Sequence, residues 1–152
     1  MKSFKQHIFE KLKVDARNTT KHTLFPKTKD ELKRMIKNEI SKNGNECSLN
    51  HIDVSEITDM SRLFNSSIFN GDISEWDVSN VKDMHRMFQY SEFNGDISEW
   101  NVSSVTDMIW MFYSSKFNGD ISNWDVSNVT DMFGIFADSP LEKNPPKCYK
   151  NY

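Results

Sequence analysis

Aspartates recur every 24 residues through the second half of the chain, and carboxylate oxygens are ligands that calcium prefers. Carboxylates stacked at strand spacing repel each other, so something must offset them. One interpretation is a row of calcium ions. The other is that each aspartate accepts hydrogen bonds from backbone amides of its own turn or caps a helix. We favour the second and expect no metal, because the Asp-x-Asp pairs of calcium loops are absent. The columns are Asp72, Asp96 and Asp120; Asp59, Asp83, Asp107 and Asp131; and Asp53, Asp77 and Asp125.

The chain offers little for catalysis. Its four histidines do not recur in register, and the repeat positions no Ser/His/Asp or Cys/His set. It has no glycine-rich phosphate loop. Cys47 and Cys148 match no metal-ligand spacing, and their separation along the chain argues against a disulfide. We therefore expect a protein without enzymatic activity, catalytic residues or cofactor.

Positions that vary between the repeats are the candidates for binding. Framework residues already fill the core, so we expect the aromatic residues in the varying columns to lie at the surface. Exposed aromatic residues beside an arginine are typical of an interface hot spot. The alternative is that Trp110 packs over the neighbouring turn and covers the core edge. The candidate binding residues are Arg86, Tyr90, Trp110 and Tyr113.

A repeated 24-residue unit must position these side chains. Its four copies begin at Ile52, Trp76, Trp100 and Trp124. A fixed period of this length predicts stacked coils, each burying its apolar face against its neighbours. We predict an α/β repeat solenoid of about four coils, with short parallel strands and short helical turns. The valines are predicted to form one parallel ladder and the phenylalanines one buried column: Val54, Val78, Val102 and Val126; Phe64, Phe88, Phe112 and Phe136.

Within one unit, the spacing of Met84, Met87 and Phe88 matches one face of a helix, so a helical turn over Met84–Phe88 capped by Asp83 is predicted. The Asn-Gly-Asp turn that follows is predicted to hold Gly95 at a positive φ, which glycine adopts most cheaply.

Three segments are predicted. Residues 1–26 comprise a short helix over Phe4–Val14 and a linker. Residues 27–48 comprise a capping helix from about Lys29 to Lys42, with Thr28 as N-cap, Glu31 in the reciprocal position and Gly44 after its end. Residues 49–152 comprise the solenoid and a C-terminal cap. The helix over Phe4–Val14 either docks on a partner or folds back as a cap, and both possibilities stay open.

Charge is distributed unevenly along the chain. Residues 1–50 hold 12 Lys/Arg and 6 Asp/Glu, a net +6, whereas residues 51–152 hold 7 and 16, a net −9. The acidic repeats argue against nucleic-acid binding, which needs a basic face. No apolar run approaches the ~20 residues of a membrane span. The first ten residues are charged and lack the apolar stretch of a signal peptide, so a cytoplasmic or virion-associated location is expected.

The unit FNGDIS-x-W-D-V-S-N-V-T-D-M-x-x-M-F resembles the BspA-type leucine-rich-repeat family, also called mycoplasma-type surface-protein repeats. The resemblance runs from about Phe25 to Tyr152 and suggests a short bacterial or phage member. It implies a compact leucine-rich-repeat-like fold without enzymatic activity. Members are usually described as bacterial surface or adhesion proteins. This chain departs from the repeat where Cys148 stands in the column of Trp76, Trp100 and Trp124.

We therefore expect a non-enzymatic protein–protein interaction module that is intracellular or virion-associated. One alternative is a bacterial surface adhesion protein, and another is an acidic inhibitor that mimics nucleic acid. The partner is expected to be a protein of unknown identity, with no nucleic acid and no membrane span. The oligomeric state stays open.

Overall fold

The computed structural model describes Ser3 and residues 22–149. The predicted helix over Phe4–Val14 and most of the predicted linker lie outside the described residues. Within them, one α-helix and two single-turn 3-10 helices are present: α1, Lys29–Asn43, and the 3-10 turns Pro140–Glu142 and Lys147–Tyr149.

Helix α1 is built as its sequence predicts. The Glu31 amide donates to Thr28 Oγ1 over 3.2 Å, and the Glu31 carboxylate accepts from the Lys27 amide over 2.7 Å. The Gly44 amide donates back to the Ile40 carbonyl over 2.8 Å and ends the helix. Leu32 and Ile36 are buried in the hydrophobic core that also contains the repeats. The structure therefore contains a helix over the predicted residues, and it ends one residue later than expected.

The predicted fold class is wrong. The described residues contain no β-sheet and no continuous strand, so the protein is not a leucine-rich-repeat-like α/β solenoid with parallel strands. The pairing that exists is confined to isolated parallel bridges. Three of these join successive aspartates of one column, from Asp59 to Asp131, and none involves the four valines. The valines are buried, but they form no ladder.

The predicted helical turn over Met84–Phe88 is also wrong, because these residues form consecutive turns. The Met87 amide donates to the Met84 carbonyl, three residues back, over 3.2 Å. Arg86, which lies between these two residues, has a φ of 54°, in the left-handed region that an α-helix excludes. Residues with the same left-handed φ recur four residues apart in each unit. We call the four stretches concerned, residues 60–67, 84–91, 108–115 and 132–139, the turn segments.

Alternate amides of the first three turn segments donate to the next unit. The Met84 amide donates to the Asp107 carbonyl over 3.0 Å, and the Phe88 amide donates to the Met111 carbonyl over 2.9 Å. In an α-helix the amides beyond the first four donate to carbonyls four residues back in the same helix. In the turn segments every second amide instead donates to the neighbouring unit, and this pattern holds the units together without strands.

Aromatic side chains stack along the same direction. The rings of Phe64, Phe88, Phe112 and Phe136 are buried, with successive centroids 5.6, 5.6 and 6.0 Å apart. The predicted phenylalanine column is confirmed. A parallel column of buried tryptophans has centroids 6.4 Å apart, and each indole N–H donates to a carbonyl 27 residues earlier over 2.9–3.1 Å.

The glycine of the Asn-Gly-Asp turn is needed for space and not for a positive φ. The glycines with positive φ in the described residues are Gly44 and Gly134. A Cβ atom on Gly95 would lie 2.8 Å from the Phe93 ring and 3.2 Å from the Gly71 carbonyl oxygen. Close approach of the backbone to the phenylalanine column therefore excludes a side chain there.

The two ends of the stack are closed differently. At the first unit, Lys29 of α1 contacts both carboxylate oxygens of Asp59 at 2.9–3.0 Å and also bonds the Ser61 hydroxyl. At the last unit, Tyr149 packs its ring edge against Phe136, with centroids 5.0 Å apart. The Tyr149 hydroxyl is buried and has no hydrogen-bond partner among the residues that the structure describes, and burial raises its pKa.

Candidate protein-binding surface

The aspartate columns serve the turns in which they lie. The Asp83 Oδ1 atom accepts from the His85 amide over 2.9 Å, and Asp96 Oδ1 accepts from the Ser98 amide over 2.9 Å. The Ser98 amide, followed by the Ser98 hydroxyl, lowers the pKa of Asp96. The local interpretation of these carboxylates is confirmed, because every aspartate in the three columns bonds an amide two residues later: Asp53, Asp59, Asp72, Asp77, Asp83, Asp96, Asp107, Asp120, Asp125 and Asp131.

One place in these columns brings metal-ligating groups together. Single ligand atoms of Asp83, His85 and Asp107 lie within 4.8 Å of one another, and all three side chains are half-buried. The His85 Nδ1 atom is already 2.8 Å from Asp83 Oδ1. Both carboxylates also accept backbone amides. The groups therefore have local partners, and the expectation of no metal stays a prediction.

The histidines that the structure describes contact carboxylates at separate places in the stack. His51 Nε2 is 3.2 Å from Glu39 Oε2, and His22 Nδ1 is 3.9 Å from Asp53 Oδ2. Each therefore contacts a carboxylate at a different place in the stack, and they do not form one centre. The expectation of no enzymatic activity also stays a prediction.

The four candidate binding residues lie together. The Arg86 guanidinium carbon is 4.3 Å from the centroid of the Trp110 ring, a cation–π distance. The Trp110 and Tyr113 centroids are 6.1 Å apart, and those of Tyr113 and Tyr90 are 5.4 Å apart, edge to face. The structure thus places side chains from two successive units in one continuous cluster.

The turn segments position this cluster through residues with left-handed backbone. Tyr90 and Trp110 have φ values of 55° and 52°. Such a φ costs an ordinary side chain about 1–2 kcal/mol. In the last unit the equivalent residues are Asp138 and Gly134, which tolerate it better. The turn geometry therefore does not demand an aromatic residue at either position.

Sequence reasoning missed two residues of the cluster, Phe133 and Gly134. The Phe133 ring is 71% exposed and lies 6.3 Å from the Trp110 ring. A Cβ atom on Gly134 would be 2.5 Å from Trp110 Cδ1, so the indole lies directly on this glycine. The signal for Phe133 was available, because it is the aromatic member of the varying column that runs through Ser61, His85 and Ile109.

Together these side chains border a groove of about 380 Å³, the aromatic groove. Groups of opposite charge lie near it. The Arg86 guanidinium lies over Trp110, while Asp138, together with Tyr90, raises the pKa of Tyr113. The lining residues are Gln89, Tyr90, Trp110, Tyr113, Phe133, Gly134 and Ala137.

In residues 22–149 no helix has the length and apolar character needed to cross a bilayer. No curated protein and no solved structure matches the chain. A family model described as Mycoplasma protein of unknown function, DUF285, matches residues 30–147, from the second residue of α1 to the start of the last 3-10 turn. Because the match includes all four repeats and most of the chain, the protein belongs to the DUF285 family.

Proposed function

We propose that the protein is a non-enzymatic protein-binding module and that the aromatic groove is its contact surface. The observation that carries the proposal is the exposure of large aromatic side chains in one cluster. Tyr90 is 53% exposed, and Phe133 is more exposed still. A continuous aromatic patch beside an arginine is the composition of an interface hot spot.

The backbone conformation of two groove residues also supports the proposal. Tyr90 and Trp110 occupy left-handed positions that smaller residues fill in the last unit. The same left-handed φ recurs in every unit, so the frame imposes the conformation and the bulky aromatic side chain is what is particular to these two positions. Packing explains part of the role of the Trp110 side chain, which is half-buried against Gly134. It does not account for Phe133, whose ring is mostly in solvent.

We also propose a finer family assignment. The repeated motif favours the BspA-type branch of the mycoplasma-type surface-protein repeats and a short bacterial or phage member. Cys47 and Cys148 are free thiols, as is usual in a reducing compartment, which favours a cytoplasmic or virion-associated location. Fractionating the native source, with antibody detection, tests the location. Recovery at the cell surface would favour the adhesion alternative.

Substitution of exposed groove residues tests the function. The wild-type protein, immobilised at low density, is used to recover and identify partners from the native source, and their affinities are then measured in purified form. Phe133→Ala and Tyr90→Ala should each weaken binding by about 2 kcal/mol, roughly thirtyfold. The matched control is Ile68→Ala, because Ile68 is 66% exposed and lies outside the groove. Equal affinity of all four proteins would contradict the proposal.

The acidic-inhibitor alternative predicts a different dependence. Binding to a basic protein through the acidic repeats would weaken steeply with salt. Binding through the aromatic groove should change little between ~50 and ~500 mM salt, because it depends on apolar contact. A strong salt dependence combined with an unchanged affinity of Phe133→Ala would favour the inhibitor.

A further inference from the structure

Four of the five glycines in the chain directly follow an asparagine. In such a pair the glycine amide nitrogen can attack Cγ of the asparagine, because no Cβ atom on the glycine hinders the approach. The new N–Cγ bond replaces the bond from Cγ to Nδ2, and the side-chain amide leaves as ammonia with the proton of the glycine nitrogen. Water then opens the cyclic imide to aspartate or isoaspartate. The pairs are Asn43-Gly44, Asn70-Gly71, Asn94-Gly95 and Asn118-Gly119.

Three of these pairs have identical neighbours along the chain. The sequence Phe-Asn-Gly-Asp-Ile-Ser occurs at residues 69–74, 93–98 and 117–122. Packing requires the glycine in this sequence, since a Cβ atom on Gly119 would lie 2.7 Å from the Phe117 ring. In an unfolded chain the three asparagines should therefore react equally, and any difference between them in the folded protein must come from the structure.

A ladder of hydrogen bonds holds the first two of these asparagines. Asn70 Oδ1 accepts from the Asn94 amide over 2.7 Å, and Asn94 Oδ1 accepts from the Asn118 amide over 2.8 Å. Each bond turns the side chain toward the following unit, so it must break before Cγ can meet the amide of its own glycine. A hydrogen bond contributes about 1 kcal/mol, which corresponds to roughly a fivefold reduction in the free side chain.

Asn118 is the last member of the ladder. The equivalent donor 24 residues later is the Glu142 amide, but it donates to the Ser139 carbonyl over 3.1 Å. Among the described residues, Asn118 Oδ1 therefore accepts no hydrogen bond. The Asn118 side chain is exposed and borders a cavity of about 620 Å³, so water can reach it.

The fourth pair is protected in a different way. The Gly44 amide is engaged in the bond to the Ile40 carbonyl that ends α1, and Asn43 Nδ2 donates to Glu39 Oε2 over 3.3 Å. The glycine amides of the three repeated pairs donate to no acceptor among the described residues. Within the repeats, the bonding of the asparagine side chain is thus what distinguishes one pair from another.

We propose that Asn118 is a site of spontaneous modification, at which deamidation converts the side chain to a carboxylate while the equivalent asparagines of the earlier units are protected. This inference goes beyond the proposed function and does not depend on it. The new carboxylate would lie two residues from Asp120 and beside Lys147, which lines the same cavity. It would add a negative charge to repeats that are already acidic.

The test is to incubate the purified full chain at mildly alkaline pH, below its melting transition, and to follow each asparagine by peptide mass spectrometry. Deamidation is detected by the small mass increase when –OH replaces –NH2. Asn118 should react roughly fivefold or more faster than Asn70 and Asn94, because these two must first lose a hydrogen bond. In denaturing urea the three rates should be equal.

Asn118→Gln is the matched control, because the longer side chain moves the amide carbon away from the glycine nitrogen. It should abolish the fast mass increase and leave the slower rates at Asn70 and Asn94 unchanged. Equal rates in the folded protein, or a faster rate at either of the other two asparagines, would overturn the inference. So would a fast mass increase that persists in Asn118→Gln, or unequal rates in urea. No partner enters the measurement, so its outcome is separate from that of the proposed function.

Discussion

Two aromatic stacks run along the turn segments, one buried and one at the surface. In the buried stack every unit supplies the same residue, and the phenylalanine rings are nearly parallel, with angles of 2°, 5° and 17° between successive planes. In the surface stack the members differ, and Trp110 meets Tyr113 and Phe133 at 40° and 49°. Identical neighbours above and below dictate the inner residues. The outer positions have no such requirement and are free to specify a partner.

The largest expected difference between the stacks is in stability. Phe112→Ala should lower the free energy of unfolding by about 3–5 kcal/mol, because it leaves a cavity between two stacked rings. Trp110→Ala should cost about 1–2 kcal/mol, since the indole is only half-buried. Urea unfolding of both variants measures the difference. Equal losses, with partner binding retained by Trp110→Ala, would assign Trp110 to the core.

Gly134 should be coupled to Trp110 and not to the inner stack. Gly134→Ala should cost about 2 kcal/mol or more, because its φ of 63° disfavours a Cβ atom and that atom would overlap the indole. In a Trp110→Ala background the cost should fall to about 1 kcal/mol, the backbone term alone. Unfolding of the single and double variants completes the cycle. Strict additivity would show that the indole does not rest on this glycine.

Tyr149 packs at the end of the buried phenylalanine stack. Removal of its hydroxyl should be harmless or favourable for stability. Tyr149→Phe should raise the free energy of unfolding by about 1 kcal/mol, because the buried hydroxyl has no partner in the described residues. Leu141→Ala, at another buried residue of the same cap, is the opposite control and should destabilise by about 2 kcal/mol or more. A destabilised Tyr149→Phe would mean that the hydroxyl has an acceptor in solution.

The smallest effect on stability is expected for the aspartates of the polar turns, whose contribution is lost only when acid protonates them. The Ser127 hydroxyl, followed by the Ser127 amide, lowers the pKa of Asp125. A lowered folded-state pKa contributes stability above about pH 4 and loses it as the pH falls through the folded value. In the third unit Asn101 makes the same bond to the Ser103 amide over 3.1 Å.

Asp125→Asn should therefore leave the melting temperature at neutral pH nearly unchanged and reduce its fall at about pH 3. Thermal melts of wild type and variant at both pH values measure this, and Asp125→Ala, which removes the acceptor, should melt lower at both. An equal acid sensitivity of wild type and Asp125→Asn would show that another group is responsible.

The spacing of residues in the sequence predicted part of this structure correctly and part of it wrongly. The 24-residue period indicated which residues stack, and the phenylalanine column and helix α1 followed from it and from the capping residues. It did not determine the hydrogen bonding inside a unit. Apolar residues at positions 84, 87 and 88 bury equally well in a helix or in consecutive turns, and the left-handed Arg86 and the hydrogen bonds to the next unit distinguish the two.

The candidate binding surface was likewise predicted only in part. Arg86, Tyr90, Trp110 and Tyr113 were identified because they vary within a constant frame, and they do lie together. Phe133 was missed although it is the aromatic member of a varying column. Gly134 was missed because a glycine has no side chain to indicate a contact, and its part in the cluster follows only from the turn geometry that places the Trp110 indole on it.

The inter-unit bonding also has a consequence for how such chains can change length. Every interior unit accepts from the unit before it and donates to the one after it in the same register, so an in-frame gain or loss of 24 codons would preserve both α1 and the C-terminal closure. Stability would change in steps of one unit. The groove would be renewed at each step, because the outer residues on either side of the new junction would meet different neighbours. If the aromatic groove binds a partner as proposed, unit number is a route to new partners that leaves the frame of the protein intact.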